Sequence, residues 1–198
     1  MRLPNSAQTS QPWRIHALTR DFRLEDVWAL PTPGERDDFP RLVRLLAAWD
    51  PAASRSAAVR GLFAIRGKVG DVLGWDERGA GLDASAETVR DRLPGDLRDG
   101  PTGPTPEALP FTPLYLTDDE WAGEVANRTV HGVLHFGWVP APEGGHRGQM
   151  AIYVKRNGLL GAAYMAAIAP FRHLLVYPQA TRELGRRWDA ERLSDRAP

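Results

Sequence analysis

The residues that could move protons lie in one stretch of the chain, beginning with the carboxylates Asp118, Asp119, Glu120 and Glu124. Burial would raise the pKa of such a carboxyl group towards neutrality, as proton transfer at ordinary pH requires. The alternative is a charged turn and strand edge that discourages association between sheets. We favour the second interpretation and keep Glu120 as a polar candidate for a binding cavity.

His131 and His135 form an H-x-x-x-H pair, a spacing that suits one metal ion when it occurs on a helix. On a strand, four residues span about 13 Å, so both rings could not bind the same ion. We therefore predict no metal site. Both histidines are kept as polar candidates, although the polar character of their strand face favours a solvated outer surface.

Arg172 and His173 end an apolar run that extends from Leu159 to Phe171. An arginine at this place could neutralise a ligand carboxylate or enolate, because its guanidinium stays charged and offers several donors. It could equally bind carbonyl groups that Pro170 leaves unpaired, since proline removes one helical hydrogen bond. Both interpretations stay open.

The elements that would position these groups form the strongest β pattern of the chain. A strand from Glu120 to Val125 turns at Asn127-Arg128 into a second strand, Thr129 to Val139, because asparagine tolerates positive φ. The alternative is a short helix opened by the capping-box spacing of Thr117 and Glu120. A third strand is predicted over Gln149 to Lys155, where apolar and polar residues alternate.

Helical patterns flank this sheet. One helix is predicted to start near Pro40, a residue that suits the first helical turn, and a second covers about Ser54 to Leu73. A long C-terminal helix is predicted from about Leu159 towards Ala190. Trp13 to Leu18 fits a short strand loosely, and Asp21 to Leu30 is ambiguous.

Composition restricts the class of protein. The chain has 198 residues and no net charge, so it lacks the positive field used in non-specific nucleic-acid binding. It has no cysteine, which excludes disulfides and thiolate metal sites. No secretory signal, membrane span, phosphate loop or dinucleotide fingerprint is recognised, so we expect a cytoplasmic protein without a cofactor.

The domain organisation expected from these patterns is simple. One domain covers residues 12–192, with a Gly/Pro-rich insertion at about 76–110, and the termini 1–11 and 193–198 are expected to be flexible. We expect the insertion to be a plain surface loop rather than a lid.

The resemblance to a known family is carried by the polar turn from Glu120 through Asn127 to His131, by Asn157-Gly158 with Tyr164, and by the run Ile168 to His173. The segment Phe63 to Gly74, with Arg66, adds to it. Together these motifs resemble an uncharacterised bacterial family, the domain-of-unknown-function family numbered 2867, in the START-like (SRPBCC, polyketide cyclase, helix-grip) superfamily. Two departures are the length of the 76–110 insertion and the order Phe171-Arg172-His173.

The resemblance implies an α+β helix-grip fold: an antiparallel sheet curved around a long C-terminal helix, with two short helices near the N-terminus and an internal cavity. Fold alone does not transfer function. The leading hypothesis is a module that binds a hydrophobic small molecule between sheet and helix. The ligand-binding candidates are Trp121, Leu134, Phe136, Trp138, Met150, Ile152, Tyr164, Ile168 and Arg172, with Glu120, His131 and His135 as polar candidates.

Two further hypotheses stay open. One is an enzyme of the cyclase or isomerase type, in which a cavity carboxylate or histidine moves protons. The other is an accessory domain for a separate dehydrogenase-like protein, because similar domains occur fused to dinucleotide-binding domains. A protein partner or a homodimer is compatible with the sequence, and the sequence does not identify the ligand.

Overall fold

Six antiparallel strands in one sheet form the centre of the α+β fold in the computed structural model. The structure describes residues 1–54, 56–57, 59–61, 64, 88–126, 130–156 and 176–194. Neighbouring strands follow the order β1-β2-β6-β5-β4-β3, and every pair is antiparallel. The strands are β1 (Arg2–Leu3), β2 (Arg23–Ala29), β3 (Thr112–Leu116), β4 (Glu120–Ala126), β5 (Val130–Pro140) and β6 (His146–Arg156).

Helices cover both faces of this sheet. Those whose bounds lie within the described residues are α1 (Ser6–Thr9), α2 (Ile15–Leu18), α3 (Phe39–Ala47), α4 (Gly95–Arg98) and α5 (Tyr177–Ser194), with single 3₁₀ turns at Arg36–Asp38 and Arg90–Arg92. Residues of α1, α2 and α4 pack in one apolar cluster with one face of the sheet, whereas α3 and α5 pack on the other. Among the described helices, none is both long and apolar enough to cross a membrane.

Strand alternation gives the two faces different chemistry. The face under α1, α2 and α4, here the network face, carries Glu120, Ala122, Glu124, His131, Val133, His135, Gln149, Ala151 and Tyr153. The opposite face, here the aromatic face, carries Trp28, Trp121, Leu134, Phe136, Trp138, Met150 and Ile152. Because successive strand side chains point to opposite sides, each face contains every second residue.

The predicted hairpin is confirmed by β4 and β5, and the third predicted strand is confirmed by β6. The alternative capping-box helix at Thr117 is wrong. The Thr117 hydroxyl nevertheless accepts a hydrogen bond from the Glu120 N–H at 3.0 Å, so the capping-box residues fix the turn before β4. The helix predicted near Pro40 is confirmed as α3, which buries Phe39, Leu42, Val43 and Leu45 on one side.

Two predictions near the N-terminus are revised. The ambiguous segment from Asp21 contains β2, which pairs with β6. The strand predicted over Trp13 to Leu18 is wrong, because this segment forms α2. The first N–H groups of α2 donate hydrogen bonds to the Glu120 carboxylate of β4. An alternation of apolar and polar residues within the segment cannot predict such a long-range interaction.

The stretch predicted as a surface loop takes part in the core over its described portion, from residue 88. It contains a 3₁₀ turn and α4, and it buries Val89, Leu93 and Leu97 against the network face. The long C-terminal helix is found as α5 within the described residues. Most of the helix predicted over Ser54 to Leu73 lies outside them, as does the Leu159 to Phe171 run.

Candidate functional site

Two buried carboxylate–imidazole pairs lie side by side on the network face. The Nε2 atom of His135 is 3.2 Å from Oε2 of Glu120, and Nε2 of His131 is 3.0 Å from Oε2 of Glu124. All four side chains are buried, and His135 is completely inaccessible. The expected solvated outer face for the histidines is therefore wrong, as is the expected exposed edge for Glu120 and Glu124.

The register of the hairpin creates both pairs. Glu120 lies opposite Gly137 and is a diagonal neighbour of His135, whereas Glu124 lies opposite Val133 and is a diagonal neighbour of both histidines, of which it binds His131. Diagonal neighbours on one face are within reach of long side chains. The equal spacing of four residues on each strand therefore produces two parallel pairs, and these hold the histidines apart instead of directing them to one ion. Among the described residues, no group of three histidine or acidic side chains could hold a metal.

Glu120 has four hydrogen-bond donors around its two carboxylate oxygens. Oε1 accepts from the backbone N–H of Arg14 at 2.9 Å. Oε2 accepts from the Tyr115 hydroxyl at 3.0 Å, from Nε2 of His135, and from the N–H of Ile15 at 3.4 Å. A carboxylate on β4 thus satisfies the first turn of α2, where helical N–H groups lack partners in their own helix.

His135 connects this carboxylate to a second set of polar groups. Its Nδ1 lies 3.1 Å from the Gln8 amide nitrogen, which can only donate, so Nδ1 accepts and Nε2 carries the proton directed at Glu120. The Gln8 amide also donates to the Tyr153 hydroxyl at 3.1 Å, and its oxygen accepts from Gln149 at 2.8 Å. Tyr153 in turn is 3.3 Å from Nδ1 of His16. One set of proton positions satisfies the whole network.

The electrostatics agree with a neutral imidazole beside an ionised carboxylate. Burial lowers the pKa of His135 and outweighs the opposing effect of its bond to Glu120. Burial alone would raise the pKa of Glu120, but the hydrogen bonds from His135, Arg14 and Tyr115 lower it below its ordinary value. Burial and the neighbouring carboxylate raise the pKa of Tyr115, so its hydroxyl remains a donor.

Glu124 is bound more simply. Its Oε2 accepts from the backbone N–H of Val89 at 3.0 Å and from His131. The ring of Phe22 packs edge-on against His131, with centroids 4.9 Å apart. The pair therefore fixes the segment that starts at residue 88 onto the sheet. On the network face, acid–base residue types are engaged in holding short helical segments in place.

The aromatic face gathers the predicted ligand-binding side chains that the structure describes. Trp121 and Phe136 are neighbours with ring centroids 5.9 Å apart, and Trp138 lies 5.8 Å from Trp188 of α5. Leu134 is buried on the same face. Trp121, Trp138 and Trp188 each donate their indole N–H to a backbone carbonyl, at 2.9–3.2 Å, and are therefore fixed in orientation.

Met150 and Ile152 complete this face on β6, and both are only partly buried. Strand β6 is paired on both sides, with β2 and β5, so their accessibility is not an edge effect. Six of the nine ligand-binding candidates therefore share one face of the sheet. The other three, Tyr164, Ile168 and Arg172, lie outside the described residues.

Sequence reasoning missed two side chains of the aromatic face, Asp26 and Trp28 of β2. They pair with Ile152 and Met150 of β6, respectively, and both are buried. An arginine from β1, Arg2, places Nη2 3.4 Å from the Asp26 carboxylate. The alternation of Asp26, Val27 and Trp28 carried the signal, but the charged residues before it left the segment ambiguous.

The comparison with known proteins gives a family and no activity. Residues 18–179 match the family model described as "Protein of unknown function (DUF2867)". No curated protein and no solved structure matches the chain. Because the matched segment covers well over half of the 198 residues, the chain belongs to the DUF2867 family.

Proposed function

We propose that this protein is a START-like, helix-grip module that binds a hydrophobic small molecule against the aromatic face of its sheet. The observation that carries the proposal is the partial accessibility of Met150 and Ile152 at the centre of that face, beside buried aromatic rings. Binding sites for small molecules are typically concave and lined by apolar and aromatic side chains. An apolar ligand placed there would cover both residues.

The driving force would be the burial of apolar surface. Removing about 200 Å² of apolar area from water contributes about 5 kcal/mol before the costs of association are subtracted. Trp121, Phe136 and Trp138 support such a site because their own contacts and indole hydrogen bonds fix them before a ligand arrives. Rigid walls reduce the entropy lost on binding.

The contacts of the acid–base residues on the network face favour a binding function over a catalytic one. The enzyme hypothesis needs an ionisable side chain directed into a cavity, whereas Glu120 and His135 are bound to groups that hold the fold together. The accessory-domain hypothesis expects an exposed apolar patch of several hundred Å². Among the described residues, the exposed large apolar side chains are Met1 and Leu193.

A titration calorimetry experiment with 2-methylnaphthalene tests the proposal. We expect saturable binding to the wild type and at least ten-fold weaker binding to Ile152→Trp, because the larger ring would occupy the accessible space on the face. Leu193→Trp is the matched control, since Leu193 is 70% exposed on α5 and the added indole should not affect binding. Equal affinity in the wild type and Ile152→Trp would contradict the proposed location.

A further inference from the structure

A series of hydrogen bonds fixes which side-chain atoms attach α1 to the sheet. The Ala7 carbonyl can only accept, so the group that Gln149 places 3.1 Å from it is the amide nitrogen. The same nitrogen lies 2.8 Å from one end of the Gln8 amide, which must therefore be the oxygen. The other end, the Gln8 nitrogen, lies 3.1 Å from Nδ1 of His135. The side chains of Gln8, Gln149 and His135 are all buried.

His135 can therefore bind α1 only while its imidazole is neutral. Nδ1 accepts from Gln8, and Nε2 carries the proton directed at Glu120. A proton added at Nδ1 would face the Gln8 nitrogen, and two donors form no hydrogen bond. Turning the Gln8 amide over does not remove the conflict, because its nitrogen would then face the nitrogen of Gln149. Protonation of His135 thus breaks this attachment of α1 to the sheet.

The groups around His135 do not reverse this effect. Several elements contribute titratable or charged side chains: Tyr115 of β3, Glu120 of β4 with Asp119 before it, Tyr153 of β6, His16 of α2, Arg14 before α2 and, through its ion pair with Arg14, Asp96 of α4. Burial lowers the pKa of His135, and His16 lowers it further, whereas Glu120 and Asp119 raise it by less in total. The closed network therefore disfavours the added proton.

We propose that neutral His135 is a latch for α1, and that mild acid opens this latch by protonating Nδ1 and releasing Gln8 from the network face. An open state accepts the proton that the closed state excludes, so opening becomes more frequent below the ordinary histidine pKa of about 6.5. The latch is independent of the proposed ligand, which would lie on the opposite face of the sheet.

The release should be confined to α1. Burial alone would raise the pKa of Glu120, but its hydrogen bonds hold it below the ordinary value, so this carboxylate stays ionised in mild acid. It continues to accept from the N–H groups of Arg14 and Ile15, which keeps α2 in place. The Asn5 side chain donates to the Leu24 carbonyl at 3.2 Å in an exposed position, where water competes for the same groups.

Amide hydrogen exchange of the full chain, measured residue by residue by NMR, tests the latch. Protection is the intrinsic exchange rate at each pH divided by the observed rate. The N–H groups of Gln8, Thr9 and Ser10 are hydrogen-bonded within residues 5–10 and report on α1. Their protection should fall about ten-fold between pH 7.5 and 5.5, because the open state gains a proton near pH 6.5. It should also stay at least about ten-fold below that of β5 at both pH values, as local opening requires.

Three variants separate the latch from other titrations. His135→Gln offers an acceptor to Gln8 and a donor to Glu120 but does not titrate, so its α1 protection should change less than about two-fold. His131→Gln is the matched control on the same strand and face, and should keep the ten-fold fall because His131 binds Glu124. Gln8→Glu serves if His135→Gln does not fold. Its carboxylate can accept from a protonated Nδ1, so acid should not reduce its α1 protection.

Two results would overturn the latch through its pH dependence. One is equal protection of wild-type α1 at pH 7.5 and 5.5, and the other is a ten-fold fall that persists in His135→Gln. Equal protection of α1 and β5 at each pH would also overturn it, because His135 would then act on the stability of the whole fold and not on α1.

Discussion

Glu120→Gln tests whether the network face is a structural network, and the expected loss can be worked out from its hydrogen bonds. The wild-type carboxylate accepts at both oxygens, from Arg14 at Oε1 and from Ile15, Tyr115 and His135 at Oε2. Glutamine has one acceptor oxygen and an amide nitrogen that only donates. If its oxygen takes the Oε2 position, its amide nitrogen faces the part-buried Arg14 N–H, and two donors then point at each other.

The cost then has two parts. The unsatisfied, part-buried donor costs about 1 kcal/mol, and each of the three remaining bonds, from Ile15, Tyr115 and His135, loses the strengthening given by the carboxylate charge, about 0.5–1 kcal/mol. The sum is about 2.5–4 kcal/mol, a large fraction of the free energy of about 5–15 kcal/mol that stabilises a typical domain. Urea unfolding followed by tryptophan fluorescence would measure it as a lower midpoint with an unchanged slope.

Glu124→Gln is the matched control, made four residues along the same strand. Both hydrogen bonds to Glu124, from Val89 and His131, end on Oε2, so the single glutamine oxygen can accept both. We expect a loss of about 1–2 kcal/mol, from reduced charge assistance in these two bonds alone. If Glu120→Gln costs no more than Glu124→Gln, the four-donor arrangement does not stabilise the fold and the reasoning is refuted.

Two further predictions concern the same face. The pKa of His135 is lowered below its ordinary 6.5 in the folded protein, so the unfolded chain binds more protons in acid. The free energy of unfolding should therefore fall as pH drops below about 6.5, by at most about 1.4 kcal/mol per pH unit, and His135→Gln should flatten this slope between pH 7 and 5. An unchanged slope would show that His135 does not titrate on unfolding. Gly137→Ala would place a Cβ 2.6 Å from the Trp13 ring and should lower the free energy of unfolding by about 1–3 kcal/mol. Gly95→Ala is the control, because its Cβ would meet open space and should cost less than about 1 kcal/mol in thermal unfolding. Equal losses in the two variants would contradict the tight contact at Gly137.

The sheet could be predicted where alternation was strong. The hairpin β4–β5 and strand β6 follow the predicted residues closely, and the period of two correctly placed Leu134, Phe136 and Trp138 on one face. Once those strands are paired, the grouping of six ligand-binding candidates follows from geometry. This part of the candidate site could therefore be predicted from the sequence.

The burial of the network face could not be predicted, because the elements that cover it are too short to show periodicity. Helices α1, α2 and α4 have four residues each, about one turn. Their positions depend on long-range hydrogen bonds, such as those that the Arg14 N–H donates to Glu120 and the Val89 N–H donates to Glu124. Polar residues on a strand normally indicate a solvated face, and here they satisfy each other instead.

Native mass spectrometry of the purified wild-type protein, compared with its denatured mass, tests the central claim most directly. If the protein holds a hydrophobic small molecule on its aromatic face, the native mass should exceed the denatured mass by one ligand, lost on unfolding. Incubation with excess 2-methylnaphthalene should displace that ligand or fill an empty site, giving one equivalent of probe. A native mass equal to the denatured mass, unchanged after incubation with the probe, would contradict the claim.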